Sequence, residues 1–239
     1  MIDLWYLVDA DVPDDAIERY RALLAPEERA RMERYVFDRD RREYLLTRAL
    51  VRTVLSSYAP EIAPPAWRFG KNEYDRPHVA PGLPPLPFNL SNSNGLILCG
   101  VSQAGEVGVD VEPFSRGQTI HDMRHTVFSS LELADLERLS SADKLARAVA
   151  LWTAKESYIK ARAMGMSLPL QEFSILFEGP TRARAIAFHG IDDLPERWQL
   201  SHVDLLPTHL AAVCAERTGP ARELVLRRTV PLAAIGRTD

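Results

Sequence analysis

The absences in this chain narrow its reading first. Only two of the 239 residues are cysteines, Cys99 and Cys214. Each lies in an apolar, strand-like run (LILCGVS and AAVCAE), so both are expected as reduced core residues and not as a disulfide or a metal pair. No apolar run approaches the roughly 20 residues needed to span a bilayer. The opening MIDLWYLVDADVP has no basic leader and turns acidic at once, which reads as a strand and not a signal peptide. The expected location is cytoplasmic, with no membrane contact. An excess of charge is also missing: a net charge of −4 with 26% charged residues predicts no nucleic-acid affinity. Among six histidines, His121 and His125 share a helix-like spacing but lack a neighbouring carboxylate motif, which argues against zinc. What is present is 46% apolar residues, enough to fill a real core in one large domain or two small ones.

The chemistry concentrates in two segments. Residues 107–112 read Val-Gly-Val-Asp-Val-Glu. This short apolar alternation predicts a β-strand with Asp110 and Glu112 on one face. Adjacent carboxylates repel each other unless a cation sits between them, and Mg²⁺ suits a few carboxylate oxygens completed by water and phosphate. Further on comes Trp152-x-x-Lys155-Glu156-x-x-x-Lys160. At helical spacing Val149, Trp152, Glu156, Ile159 and Ala163 share a stripe. Glu156 therefore interrupts an apolar face, where an unpaired carboxylate is costly, and it offers a third oxygen to a metal. Lys160 is its expected partner one turn on, as an ordinary i,i+4 pair. The plainer alternative, a D-x-E on a solvated strand face, leaves the position of Glu156 unexplained.

A weak internal repeat organises the chain. IDLWYLVDADVP and GEVGVDVEPF open two halves, and GLILCGVSQAG and HLAAVCAERTG close them, with a cysteine at matching places. The expected fold is α+β: two similar lobes, 1–105 and 106–239, each a small antiparallel sheet packed against helices, with a cleft between. Helices are predicted from Pro13-Asp14-Asp15 to about Leu24, from Pro26, and from Asp38 to Tyr58 with Leu45, Leu46, Ala49, Leu50 and Val54 inward. Ser129-x-x-Glu132 reads as a capping box. A long helix starts at Ser141, carries Lys155 and Glu156, and is expected to stop at Gly165.

These motifs, VGVDVE at 107–112 with WTAKESYIK at 152–160, resemble the signature of the two-lobed, surfactin-synthetase-activating type of 4'-phosphopantetheinyl transferase. The similarity continues through FNLSNS at 88–93, VFSSLELADL at 127–136 and SLPL at 167–170, so it covers roughly the whole chain. It implies a pseudo-twofold pair of lobes with coenzyme A bound between them. It also implies transfer of the phosphopantetheine arm of coenzyme A to a serine of an apo acyl, peptidyl or aryl carrier protein, releasing adenosine 3',5'-bisphosphate. A chain holding both halves of the cleft is expected as a monomer. The other classes left open are a different Mg-dependent phosphotransferase and a noncatalytic carrier-binding protein.

The resemblance also implies roles. Asp110, Glu112 and Glu156 would hold Mg²⁺, with Mn²⁺ as an alternative. Lys160 would stabilise the leaving phosphate, and Lys155 would bind pyrophosphate or cap the helix face. The base is either Glu156 or a metal-bound water. Between Arg19 and Arg52 ten arginines face six acids, and the resemblance selects Arg31 and Arg76 as phosphate-holding residues, with Arg48 added on its helix position. Asn89, Ser91 and Asn92 are either simple turn chemistry or phosphate contacts. Asn92 stands where the family carries a histidine, Glu28 and Tyr44 where relatives carry a lysine and a threonine, and Ala163 where they carry a glycine. A docking surface for an acidic helical carrier is expected around Met123, Arg124, Met164 and Met166, unless those methionines are core or loop residues.

Overall fold

The computed structural model describes residues 1–233, with the side chain of Met166 excepted. The chain runs β1 (Ile2–Val8), α1 (Ile17–Leu23), α2 (Pro26–Glu33), α3 (Asp38–Tyr58), β2 (Phe69–Lys71), β3 (Pro77–Val79), β4 (Phe88–Ser93) and β5 (Leu96–Ser102). It continues with β6 (Val107–Pro113), α4 (Gly117–Asp122), α5 (Arg124–Val127), α6 (Ser130–Glu137), α7 (Ser141–Arg162), β7 (Phe173–Phe177) and β8 (Ala183–Phe188). Last come β9 (Trp198–Leu206), β10 (His209–Glu216) and β11 (Leu224–Arg228).

The α+β expectation holds, and the two halves repeat one plan. In each, a strand leads to helices including one long helix, and then to a hairpin whose second strand pairs antiparallel with the first. The resulting orders are β1-β5-β4 and β6-β10-β9. Period-2 alternation then builds a sandwich. Trp5 and Leu7 of β1, with Ile97, Cys99 and Val101 of β5, pack beneath α3 on Leu46, Ala49, Leu50 and Val54. The alternate residues Ile2, Leu4, Leu96 and Leu98 meet Val107, Val109, Val111, Ala211 and Val213 of the other sheet. The second core lies between that sheet and α7. The layers are therefore α3, sheet, sheet, α7. Because both faces of each sheet are covered, β5 and β6 are buried from end to end.

Three expectations need correction. The helix expected from Pro13 begins with a 3₁₀ turn at Asp14–Ala16, and α1 proper starts at Ile17. Helix α7 ends at Arg162, before Gly165, because Ala163 itself takes the left-handed cap conformation at φ 57°. Strand β11 pairs in parallel with β1, so Leu224–Arg228 belong to the sheet of the first half, although the second lobe was expected to hold everything from 106 to 239.

Candidate active site

The close approach of α7 to β6 creates the site. A Cβ on Gly108 would lie 2.0 Å from the carbonyl oxygen of Ser157 and 2.3 Å from the amide nitrogen of Ala161. Only a glycine lets the helix backbone settle on the strand there. Two residues along β6, Asp110 thereby meets the last turns of the helix. Lys160 Nζ lies 2.7 Å from Asp110 Oδ1, 3.1 Å from Ser91 Oγ and 3.2 Å from the carbonyl of Val109. Lys160 was expected to pair with Glu156 along the helix; it reaches across to the strand instead.

Strand β4 lies beside β6 and supplies polar contacts from alternate positions. Asn89 accepts the amide of Val109 at 3.0 Å, Ser91 donates to Asp110 at 2.9 Å and Ser93 donates to Glu112 at 3.0 Å. Asn89 and Ser91 thus orient β6 and its carboxylate. Asn92 points the other way and donates its amide to Glu43 of α3. Glu112 is also paired with Arg116, four residues on, and its interaction with Trp152 of the WxxKE helix favours the carboxylate.

Electrostatics around the three acids favour a cation. Burial, followed by the neighbouring charges of Asp110 and Glu112, pushes the Glu156 carboxyl up to about 7. Burial and Asp110 likewise raise Glu112, against the opposing pull of Arg116. Asp110 Oδ2 is buried with no hydrogen-bond partner among the described residues. An orphaned carboxylate oxygen between two acids that resist ionisation fits a hard divalent ion. No ready-made cage of three ligand side chains stands among the described residues, since Lys160 and Arg116 occupy two of the carboxylates.

Several expected binding residues are differently employed. Lys155, expected to bind pyrophosphate or to cap the helix face, is fully buried on the opposite side of α7. Its Nζ lies 2.9 Å from Glu132 and 2.7 Å from the carbonyls of both Leu170 and Phe173, so it cannot reach a ligand. Arg48 is held by Glu28 at 2.5 Å and lies 4.4 Å over the ring of Phe69. Arg76 pairs with Glu106 at 2.7 Å and donates to the carbonyls of Val107 and Ala161, bolting the β2–β3 hairpin to β6 and α7. Arg31 remains exposed, 5.6 Å over the ring of Tyr44. Met123 and Met164 are half-buried against the second core, Arg124 donates to the carbonyl of His121, and the side chain of Met166 lies outside the described residues.

Beside this constellation opens a cavity of about 1070 Å³ between α2, α3 and the β2–β3 hairpin, lined among others by Arg31, Tyr44, Arg48, Phe69 and Asn92. Asn92 belongs to its wall, while its neighbours Ser91 and Ser93 touch the carboxylates, so one strand joins the cavity to the acids. The sequence reading missed Arg116 and the second role of Glu132, its ion pair with Lys155. An arginine one turn after Glu112 was a weak signal, whereas the pairing of Glu132 with Lys155 spans two helices and left no local trace.

Comparison with known proteins gives a consistent result. Residues 106–214 match the family described as the 4'-phosphopantetheinyl transferase superfamily, and residues 13–103 match the N-terminal family of 4'-phosphopantetheinyl transferases. A 4'-phosphopantetheinyl transferase of Bacillus subtilis is 34% identical over 66% of this chain and 68% of its own length. The 4'-phosphopantetheinyl transferase Sfp of Bacillus subtilis strain 168 is 30% identical over 70% of this chain and 73% of its own. A third relative, 4'-phosphopantetheinyl transferase ffp of Bacillus subtilis, is 29% identical over 88% and 90%.

Proposed function

Because this chain belongs to the 4'-phosphopantetheinyl transferase superfamily, we propose that it moves the phosphopantetheine arm of coenzyme A onto a serine of an apo carrier protein. The observation that carries the reading to atoms is the convergence of Asp110, Glu112, Glu156 and Lys160 where α7 meets β6. Asp110, Glu112 and Glu156 would hold Mg²⁺, which supplies Lewis-acid neutralisation of the pyrophosphate when bound. The hydroxyl of the carrier serine attacks the β-phosphorus. A new serine O–P bond forms as the pyrophosphate P–O bond breaks, and adenosine 3',5'-bisphosphate leaves. The serine proton passes to Glu156 or to a water beside the carboxylates, the two candidates for the base. Lys160 is the fixed cation beside the leaving phosphate, and Ser91 orients both it and Asp110.

The nucleotide end of coenzyme A would enter the cavity past Asn92, with Arg31 at its rim and aromatic rings from Tyr44 and Phe69 in its wall. Arg76 serves this site by fixing the wall, and Lys155 by seating α7. The reading divides the chain near Gly105, with β11 returned to the first lobe, and takes the working form as a monomer in the cytoplasm. No helix among the described residues is long and apolar enough to cross a membrane. The acceptor is taken as an acidic carrier domain docking near Met123 and Arg124.

The test is intact-mass analysis of an apo peptidyl carrier domain incubated with the protein, coenzyme A and Mg²⁺. A gain of one phosphopantetheine, abolished by chelator and by Asp110→Asn, is expected. Transfer by a folded Asp110→Asn variant at the wild-type rate would remove the metal-site assignment while leaving the activity standing.

A further inference from the structure

The charges inside the α2–α3 cavity suggest which donor it accepts, an inference that rests on the coenzyme A reading above. Six basic and five acidic side chains line the cavity, so its cationic surplus is small. Most of the bases are already committed. Arg48 and Arg52 both lie 2.5 Å from Glu28, whose own side chain is only 10% exposed. Arg52 further donates to the carbonyl of Trp67 at 2.8 Å. Lys71 is paired with Asp75, and Arg68 donates to the carbonyls of Pro65 and Trp67. Asn92 gives its amide to Glu43, adding a carboxyl to the wall where a cation would serve a phosphate better. Of the basic groups in the wall, Arg31 and Arg34 alone have neither an ion pair nor a carbonyl partner among the described residues, and both are exposed.

Coenzyme A carries two kinds of phosphate. The pyrophosphate lies in the reacting part, near Lys160 in this reading. The ribose 3'-phosphate is a separate monoester of about −1.5 to −2 charge, and it would sit in the cavity. A built monoester site offers uncommitted, desolvated cations, typically forked arginines. Here the desolvated arginines face Glu28, and the two free ones stand in water, where ion pairs are weak and screened by salt.

We propose that Glu28 is a specificity-determining residue that leaves this chain nearly indifferent to the 3'-phosphate, so that 3'-dephospho-coenzyme A also serves as a phosphopantetheine donor. The chemistry is unchanged at the reacting bond: the serine O–P bond forms, the pyrophosphate P–O bond breaks, the proton passes to the base, and adenosine 5'-phosphate leaves. With exposed cations alone to discriminate, kcat/KM for the two donors differs by no more than about tenfold.

The experiment measures kcat/KM for both donors with one apo carrier domain, following carrier mass. The wild-type ratio is expected below about tenfold, and a larger preference for coenzyme A overturns the proposal. Glu28→Gln, which releases Arg48 and Arg52, is expected to widen the ratio by about tenfold through coenzyme A alone. Asn92→Lys changes an exposed position outside the buried cluster and is expected to widen it in the same direction, so the test survives if the first variant misfolds. An unchanged ratio in folded variants overturns the role of Glu28 and its cavity. Transfer from neither donor would instead defeat the coenzyme A reading, and this inference with it.

Discussion

Two lysines of one helix, five residues apart, do opposite work. Lys160, in the last turn of α7, sets its ammonium on Asp110, while Lys155 faces the far side and is sealed against Glu132. Burial pulls the Lys155 ammonium down and pushes the Glu132 carboxyl up, each opposed by the other's charge. Such a pair is costly to break by halves, because the survivor stays buried without its counter-charge. Lys155→Met is expected to destabilise the protein by about 3–5 kcal/mol in urea unfolding, and Lys155→Met with Glu132→Leu to recover most of that loss. Recovery of stability without recovery of transfer would mark the pair as setting the pose of Glu156. Ala163 offers a stabilising change. It holds φ 57° at the cap of α7, a conformation that penalises a Cβ. Ala163→Gly is expected to add about 1 kcal/mol, read as a raised Tm.

Among the elements, β4 has the widest reach, since its alternate side chains serve the carboxylates on one side and the cavity on the other. FNLSNS was readable only as turn chemistry or phosphate contacts, and nothing local said that it would form a strand with both faces functional. Legibility in general followed locality. The span of α3, the capping box at Ser129 and the acids on β6 were all readable, because each is set by residues within a turn or two. The partners of Lys155, Arg48 and Arg76 were not, because each depends on chain brought from a different helix or hairpin. His202 of β9 shows another contact hidden in this way. Its Nδ1 accepts the amide of Ala183 and its Nε2 donates to the carbonyl of Ala150, both at 3.0 Å, which locks the neutral ring against α7. Burial pushes this imidazole down to about 4. The unfolded chain takes up a proton near 6.5, so its contribution is complete above that pH and is lost as pH falls towards 4. Stability should decline in that window by up to about 1.4 kcal/mol per pH unit. His202→Gln should flatten the decline, as followed by unfolding at stepped pH.

At the scale of the whole molecule, two helices enclose two sheets, and ties between the halves make them one body. Besides Arg76, Asn72 of the hairpin turn donates to the carbonyl of Ala163 at 2.8 Å, pinning the first half to the end of α7. A single unfolding transition is expected, and Asn72→Ala should lower its midpoint without splitting it. Two separated transitions by calorimetry would show that the halves melt independently. Strand β11 is a further tie, covering the outer edge of β1, with Arg227 held 2.7 Å from Asp3. A chain ending at residue 218 should lose stability and self-associate through the bared edge, detectable by light scattering. The same pairing imposes an order on birth. Ile2 meets Leu224, so β1 is made about 220 residues before its outer neighbour exists. At roughly 5–20 residues per second a ribosome needs on the order of ten seconds or more to supply it. Throughout that interval the nascent protein carries an open strand edge, a ready template for another chain to pair with, until its own last strand arrives to close it.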